Sequence, residues 1–429
     1  MLKTFANAWK IEDLRRKLTF TFLMILVFRL GNALPLPFVK PEVVKAIYEG
    51  AANSILGLLN QITGGGLASL SAFALGVGPY ITASIVVQLL TFAIPSLEEI
   101  SKQGDIGRKK IQKITKYLSL VLAILQAYGI VQGIFGDAIK ITESNGFLPK
   151  FVVITILVAG SHFVVWLGEL ITEKGIGNGV SIIIFLGIIS RLPETAIAWV
   201  KGLISGAPGF AWWKFLILVV ITLASVLFVI LLTEGERRVP VQYAKRVVGR
   251  KMYGGSSTHI PIKVNMSGVM PVIFASSILA LPQTLALIIP SMRNFVQKYM
   301  TPTSTIGLIF FIIVQTALVI MFAYFYNSIQ FNPYEYSKNL QQNGGFVPGI
   351  RPGKPTTDYL GGIVSRITLI GAIGLGIIAA APRLFGHFLN ANLVLGGTSI
   401  IIAVGVIVET TKQLEAMMQM RHYKGFLNK

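Results

Sequence analysis

The sequence predicts an all-α polytopic membrane protein whose ten transmembrane helices form two inverted five-helix repeats. Three observations support this prediction: a low content of charged residues, ten long apolar runs and one repeated motif. Only 13% of the 429 residues are charged, 53% are hydrophobic and the mean hydropathy is +0.69. An average soluble domain is about 25% charged. So few charged side chains cannot cover the surface of a soluble protein of this length, which indicates an integral membrane protein.

Ten apolar runs are candidate membrane spans, because crossing ~30 Å of hydrocarbon takes about 20 mostly apolar helical residues. The fifth run is the weakest, since Arg191 ends its continuous apolar stretch. The predicted spans are residues 18–38, 67–95, 117–135, 151–168, 175–192, 211–233, 266–290, 305–326, 363–382 and 393–408.

The charged residues are unequally distributed between the two sides of these spans. The chain has 38 Lys+Arg against 18 Asp+Glu, a formal net charge of +20 that in a soluble protein would suggest nucleic acid binding. With the N-terminus inside, 27 basic residues fall in inner segments and 10 in outer segments. This asymmetry predicts that both termini are cytoplasmic, and it explains most of the positive charge without a nucleic acid ligand.

One motif, G-V-x-P-x-I-x-A-S, occurs at residues 76–84 and again at residues 268–276. The copies lie on predicted spans two and seven, which are equivalent positions if residues 1–205 and 206–429 each form five spans. Because five is odd, the second half must enter the membrane in the opposite sense, which makes the repeat inverted. Backbone freed by the proline of each copy is tolerated at membrane depth only against protein or a water-filled cavity. We therefore expect the functional site between spans two and seven.

Three consecutive glycines precede the first copy of the motif, and small and polar residues follow them as far as Ala74. This composition is poorly suited to a lipid-facing span. A short re-entrant helix that moves and a tight loop before an ordinary helix are both compatible with the pattern.

Four longer motifs occur in order along the chain: ALGVGPYITASI at 74–85, GELITEKGIGNGVS at 168–181, STHIPIKVN at 257–265 and FVPGIRPG at 346–353. With these motifs the sequence resembles the SecY family, the channel subunits of the bacterial protein-export translocon, over nearly its whole length. The resemblance implies two five-helix halves around a central hourglass pore. It further implies a channel that passes unfolded preproteins across the cytoplasmic membrane and releases hydrophobic segments into the bilayer through a lateral gate.

The resemblance also implies a ring of aliphatic side chains at the narrowest part of the pore and a plug on its outer side. Two ring members are valine where isoleucine is common, which predicts a slightly wider constriction. The ring positions are Val77, Ile81, Val180, Ile184, Ile273 and Ile402. The plug corresponds to residues 60–74, a short helix in the family, and includes Gly64, Gly65, Gly66, Leu67, Leu70 and Phe73.

A lateral gate is implied between spans two and three on one side and spans seven and eight on the other. Its residues by position are Ile85, Gln88, Asn265, Ser277 and Leu281. A polar contact between Gln88 and Asn265 could hold the gate shut, although an intramembrane amide often serves only helix packing.

Two cytoplasmic loops, residues 234–264 and 327–362, are far longer than the two to eight residues that commonly join packed helices. The stretch 239–245 is typical of a strand or hairpin, and Arg351 lies between two Pro-Gly turns. In the family these loops receive the SecA ATPase or the ribosome, and Arg250, Lys251 and Arg351 occupy the matching positions. The resemblance implies the small subunits SecE and SecG, signal peptides and preproteins as further partners. Ribosomal RNA is the only nucleic acid in this set.

A secondary transporter is the main alternative, because inverted repeats with Gly/Pro-broken helices also build substrate sites. Ion-coupled transporters usually bury carboxylates or histidines in their spans. The predicted spans contain Arg29, His162 and Arg366, but carboxylates only near their ends, at Glu169 and Glu409. An enzyme is less well supported, because four scattered histidines and no cysteine do not form a nucleophile, base or metal set. We expect no cofactor and no metal.

Overall fold

The computed structural model describes residues 2–51, 64–136, 138–139, 147–190, 192–205, 211–243, 246–248, 251–253, 257–300, 305–389 and 396–427. The described residues of the N-terminal half are helical except for turns and short connections. Its helices are α1 (Leu2–Trp9), α2 (Glu12–Ala33), α3 (Pro41–Ala51), α4 (Gly78–Ala93), α5 (Pro95–Ser101), α6 (Asp105–Gly133), α7 (Phe147–Lys174), α8 (Gly179–Ile189) and α9 (Leu192–Ser205).

The C-terminal half adds strands to its helices. Its helices are α10 (Trp212–Glu234), α11 (Met270–Ile288), α12 (Pro290–Tyr299), α13 (Thr305–Gln330), α14 (Pro333–Gln342), α15 (Lys354–Leu389) and α16 (Gly397–Leu427). Its strands are β1 (Glu236–Tyr243), β2 (Arg246–Val248), β3 (Lys251–Tyr253), β4 (Ser257–Lys263) and β5 (Gly345–Phe346).

Each of the ten predicted spans overlaps a helix. Five described helices, α6, α7, α10, α13 and α15, are long and apolar enough to cross a membrane, and α4 with α5, bent by 107°, makes a sixth if the pair is one span. The other four predicted spans fall on α2, α8, α11 and α16. The weak fifth span is the 11-residue α8, whose length of ~16 Å covers about half of the hydrocarbon core.

The start of the second span was predicted wrongly. The prediction was residues 67–95, but the helix begins only at Gly78, and residues 64–77 form consecutive turns apart from one isolated β-bridge residue, Ser71. Gly64, Gly65 and Leu70 have φ angles of 70°, 93° and 43°, a left-handed conformation that interrupts a right-handed helix. The helical conformation expected for the plug is therefore wrong for these residues, and residues 60–63 lie outside the described part.

The end of the ninth span was also predicted wrongly. The prediction stopped at Pro382, but α15 continues to Leu389. Proline removes the hydrogen bond donor that the carbonyl of Ile378 would use. That carbonyl lies against the start of α16, where a β-carbon on Gly397 would be 2.2 Å from its oxygen. Packing of a neighbouring helix onto the freed carbonyl lets α15 pass through the proline.

The repeated motif has the same backbone geometry in both halves. Gly76 and Gly268 have φ angles of 53° and 62°. Val77 and Val269 follow as N-caps with φ of −90° and ψ of 2° and −9°. Each motif proline then lies in the first turn of its helix, where its missing N–H costs no intrahelical bond. The prolines therefore start α4 and α11 rather than breaking them.

The two long loops form one structural unit. Strand β1 pairs antiparallel with β4 over seven residue pairs. This confirms the strand predicted at 239–245 as far as Tyr243, and residues 244–245 lie outside the described part. The second loop joins it, because β5 pairs with β1 through Gln242 opposite Phe346 and Tyr243 opposite Gly345. Buried side chains from both loops and from α15 share a small apolar core, with Val241, Ile262 and Leu360 at or below 1% exposure.

Helix α1 and the second half of α16 meet on one face of the helical bundle. The hydroxyl of Thr4 in α1 donates to Oε1 of Glu415 in α16 over 3.1 Å. Ala8, Leu414 and Ile176, which lies between α7 and α8, are buried in one cluster. This face is called the inner face below, and the opposite one the outer face.

Candidate functional site

The six predicted ring residues come together in one cluster. Val77, Ile81, Ile184, Ile273 and Ile402 are buried there at 3–7% exposure. Val180 is partly buried and packs against the same cluster. The members come from α4, α8, α11, α16 and the turn before α4, so the cluster joins both halves of the chain.

Two cavities meet at this ring. An inner cavity of about 300 Å³ and an outer cavity of about 60 Å³ share three lining residues, Ile81, Ile184 and Ile273. Helix α8 shows which cavity faces which side. Val180 near its inner end lines the inner cavity, and Ile188 near its outer end lines the outer one. Two cavities separated by an apolar constriction form an hourglass.

The inner cavity has a polar wall that faces the inner side. The carboxylate of Glu169 lines it with 19% of its side chain exposed. Lys116 Nζ donates to Glu169 Oε2 over 2.7 Å, and Gln112 Nε2 donates to Oε1 over 3.0 Å. This carboxylate is thus paired and lies near the end of α7, as the sequence predicted.

The motif at 168–181 shapes this wall through close backbone contacts. A β-carbon on Gly179 would lie 1.9 Å from the carbonyl oxygen of Gly168, so only glycine lets α8 start against α7. Thr172 Oγ1 accepts a hydrogen bond from Gly179 N over 2.9 Å, and Asn178 Oδ1 accepts one from Ser181 N over 3.2 Å. The asparagine therefore caps α8 and fixes the position of Val180.

The turns at residues 64–77, called the turn segment below, lead into α4 and include the ring residue Val77. The segment pairs with the chain after α2, with Leu36 N donating to Leu70 O over 3.3 Å and Ala72 N donating to Leu34 O over 3.1 Å. Ser71 Oγ donates to Asn32 Oδ1 over 3.2 Å. These bonds attach the segment to the outer end of α2.

Helices α7 and α8 hold the turn segment from the other side. Ser161 Oγ donates to Gly76 O over 2.9 Å, and Ser190 Oγ donates to Gly64 O over 3.3 Å. The ring of Phe73 lies between those of Phe28 and Phe163, with centroids 6.2 and 5.7 Å away. The predicted plug residues are placed together, with Gly64, Gly66, Leu67, Leu70 and Phe73 buried and Gly65 partly buried.

The polar contact predicted between Gln88 and Asn265 is wrong in this structure. Gln88 Oε1 instead accepts a hydrogen bond of 2.5 Å from the hydroxyl of Tyr326 in α13. Asn265 bonds locally, with its Nδ2 donating to Gly268 O over 3.0 Å. The Gln88–Tyr326 bond crosses the predicted lateral gate, and so does the edge-to-face pair of Phe92 and Phe325 at 4.9 Å.

The remaining predicted gate residues differ in burial and in hydrogen bonding. Ile85 is buried at 1% exposure in the same cluster as the ring. Ser277 Oγ donates to Ile273 O in its own helix over 2.9 Å, and Leu281 is partly buried. Tyr326 is a contact of the predicted gate that the sequence did not reveal, because a tyrosine near the end of an apolar span also fits an interfacial position.

Arg383 is a second residue that the sequence analysis missed. The predicted ninth span ended one residue before it, so it was assigned to an outer segment. Because α15 continues, Arg383 lines the outer cavity, donates from Nη1 to Gln315 Oε1 and lies over the ring of Phe311 at 4.7 Å.

Of the three predicted docking residues, the structure describes the side chain of Arg351 and the backbone of Lys251. Arg351 is exposed between Gly349 and Gly353, whose φ angles of 82° and 100° confirm the two turns. Lys251 belongs to β3, which pairs with β2 in a separate two-stranded sheet. Arg250 lies outside the described residues.

Comparison with known proteins identifies the family. The family model of SecY matches residues 71–411. The protein translocase subunit SecY of Mycobacterium tuberculosis is 43% identical over 450 residues, with all of both chains covered. The chain belongs to the SecY family.

Solved structures share the fold at lower identity. A structure described as that of a protein conducting channel has a TM-score of 0.66 at 20% identity, covering 94% of this chain and 92% of that one. Another, with a TM-score of 0.65, 20% identity and the same coverage, is described as showing that the SecY plug domain stabilises the closed state of the translocation channel and maintains a membrane seal. Canine Sec61 in a ribosome-channel complex has a TM-score of 0.63 at 20% identity, again covering 94% and 92%. These likenesses show the same fold over 94% of the chain.

Proposed function

We propose that this chain is a protein-conducting channel that passes unfolded preproteins outward across the cytoplasmic membrane. The observation that carries the proposal is the ring of aliphatic side chains that separates two cavities in a chain of the SecY family. The family assignment replaces the secondary transporter considered from the sequence.

The chemistry of the ring suits this function. Aliphatic side chains offer no hydrogen bond partner to water or ions, so a narrow apolar constriction excludes both when no substrate is present. The same side chains can pack around any polypeptide without recognising its sequence. The turn segment, held by α2, α7 and α8, acts as the plug that closes the outer side until a substrate enters.

The two halves of the chain move relative to each other when the channel opens. We infer that residues 1–205 and 206–429 move apart along α4 and α6 on one side and α11 and α13 on the other. The Gln88–Tyr326 hydrogen bond is the polar contact at this seam. Separation would let a hydrophobic segment leave the pore sideways into the bilayer, where its burial in lipid is favourable.

Partners bind on the inner face, which we assign to the cytoplasm because of the excess of basic residues there. The unit built by β1, β4, β5 and α14 projects from that face and carries Arg351. It is the docking surface proposed for SecA or the ribosome. SecE and SecG are expected to complete the channel within the membrane.

A crosslinking experiment tests the path of the substrate. The chain has no cysteine, so Ile81→Cys introduces a single thiol at the ring. A preprotein with one cysteine, stalled midway through transport with SecA and ATP in proteoliposomes, is expected to form a disulfide with it. Leu223→Cys is the control, because Leu223 in α10 is 63% exposed on the outside of the bundle. Export without a crosslink at Ile81→Cys over several stall lengths would contradict the ring assignment.

Charge reversal tests the docking surface. We expect Arg351→Glu to weaken partner binding by at least about tenfold, because it replaces an attractive charge by a repulsive one. The unfolding temperature should not change, since the side chain is exposed. The matched control is Lys338→Glu, an exposed lysine of the same unit on α14. Affinity for SecA can be measured by fluorescence titration, and equal losses in both variants would indicate a general effect of net charge instead.

A further inference from the structure

The outer cavity contains a cation that the translocation pathway leaves unexplained. Arg383 lines this cavity and makes no ion pair with any carboxylate in the described ranges. Its only contacts of polar or cation–π type there are Gln315 and the ring of Phe311. Both are neutral. A guanidinium at membrane depth is costly unless a charge of opposite sign compensates it.

The start of α16 faces the same cavity with two side-chain hydroxyls. Thr398 and Ser399 line the cavity and are only 7% and 4% exposed. Their hydroxyls make no hydrogen bond to a described residue. They belong to the first turn of a 31-residue helix, whose leading N–H groups have no intrahelical acceptor. A helix N-terminus of this kind attracts negative charge.

The other polar groups of the cavity are already engaged. Ser276 and Ser277 donate to carbonyls of their own helix over 2.8 and 2.9 Å. Gln283 Nε2 donates to Met300 O over 3.3 Å. Among the described residues, the groups left for a ligand are therefore one guanidinium, two hydroxyls and a helix N-terminus, all donors or positive in character. The volume of about 60 Å³ holds a few water molecules, a halide ion or a carboxylate group.

We propose that Arg383, Thr398 and Ser399 form an anion-binding site in the wall of the outer cavity. A halide ion occupies it in the resting channel, and a carboxylate of the polypeptide replaces the halide during transport. The second statement rests on the proposed function, whereas halide binding does not. A passing acidic side chain is then favoured just beyond the ring, and a basic one is disfavoured.

The site is tested by anion-dependent stability of the purified full-length channel complex. Its unfolding temperature is measured as chloride replaces gluconate at constant ionic strength. We expect chloride to raise this temperature in a saturable manner. In Arg383→Gln the apparent chloride affinity should fall at least about tenfold, because a charge-assisted hydrogen bond is lost. Arg366→Gln is the matched control, since Arg366 is an exposed arginine of the same helix.

A second variant keeps the proposal testable if Arg383→Gln does not fold. Thr398→Val combined with Ser399→Ala removes both hydroxyls but keeps the guanidinium, and it should weaken chloride binding several-fold. The proposal is overturned if chloride and gluconate stabilise the wild-type protein equally. It is also overturned if all variants, Arg366→Gln included, respond to chloride alike.

Transport kinetics distinguish the two occupants. Two preproteins that differ only in a run of four Glu or four Lys are compared for transit time. The wild-type channel should transport the preprotein with the Glu run faster than the one with the Lys run. In Arg383→Gln the ratio of the two transit times should be close to one. An unchanged ratio with intact chloride binding would overturn the carboxylate part alone. Failure of every export reaction, wild type included, would overturn the proposed function while the chloride titration still decides the site.

Discussion

Gly160→Ala is expected to open the closed channel to small solutes. A β-carbon at Gly160 in α7 would lie 1.9 Å from the carbonyl oxygen of Ala72 and 3.2 Å from the ring of Phe73. The contact is with backbone of the turn segment, so no side-chain rotation relieves it. Overpacking of this kind destabilises the closed state by about 2 kcal/mol. This free energy shifts the equilibrium between closed and open channel roughly thirtyfold towards the open channel. The segment would leave the outer side of the ring.

Solute efflux from proteoliposomes without substrate measures this effect. Gly362→Ala is the control, because that helical glycine has open space where the β-carbon would stand. Ser161→Ala is a milder variant that removes the hydrogen bond to Gly76 without adding volume, and it should raise efflux only a few-fold. A folded Gly160→Ala protein with wild-type efflux would show that the turn segment does not seal the ring.

Tyr326→Phe is expected to lower the signal hydrophobicity needed for export. The substitution removes the hydroxyl that donates to Gln88 across the gate but keeps the ring, which packs edge-to-face on Phe274 at 5.2 Å. Losing a neutral hydrogen bond of about 1 kcal/mol shifts the opening equilibrium roughly fivefold towards the open gate. Preproteins with weakly hydrophobic signal segments should then be exported several-fold faster.

The matched control for the gate is Tyr324→Phe. Tyr324 is two residues away in α13 and also donates from its hydroxyl, to Ser365 O over 3.1 Å, but this bond stays within the C-terminal half. Export rates over a series of signals of graded hydrophobicity measure the threshold. If both variants lower it equally, the effect arises from loosening α13 and not from the gate.

A double-mutant cycle separates the gate bond from other effects of these side chains. If Gln88→Ala and Tyr326→Phe act through the same hydrogen bond, combining them should add little to either change alone. Additive effects would mean that the two residues act independently.

The sequence determined the class of the protein and the relation between its halves. Low charge and ten apolar runs follow from the bilayer as solvent, which acts on each span separately and so leaves a local signal. The pairing of Ile81 with Ile273 followed from the repeat, because the left-handed glycine and the first-turn proline are local requirements of the backbone. The strand that begins before residue 239 and reaches Tyr243 was likewise visible from alternation alone.

Only the tertiary structure decided which polar groups meet. The long-range partner of Gln88 is Tyr326, 238 residues away, and nothing in either local pattern distinguishes it from Asn265. Arg383 lines the outer cavity because α16 packs against a carbonyl freed by Pro382, a compensation that lies outside the span itself. The turn segment is non-helical because bonds to α2, α7 and α8 satisfy its backbone in another way. Each of these features depends on contacts between residues far apart in the chain, and such contacts leave no periodic trace in the sequence.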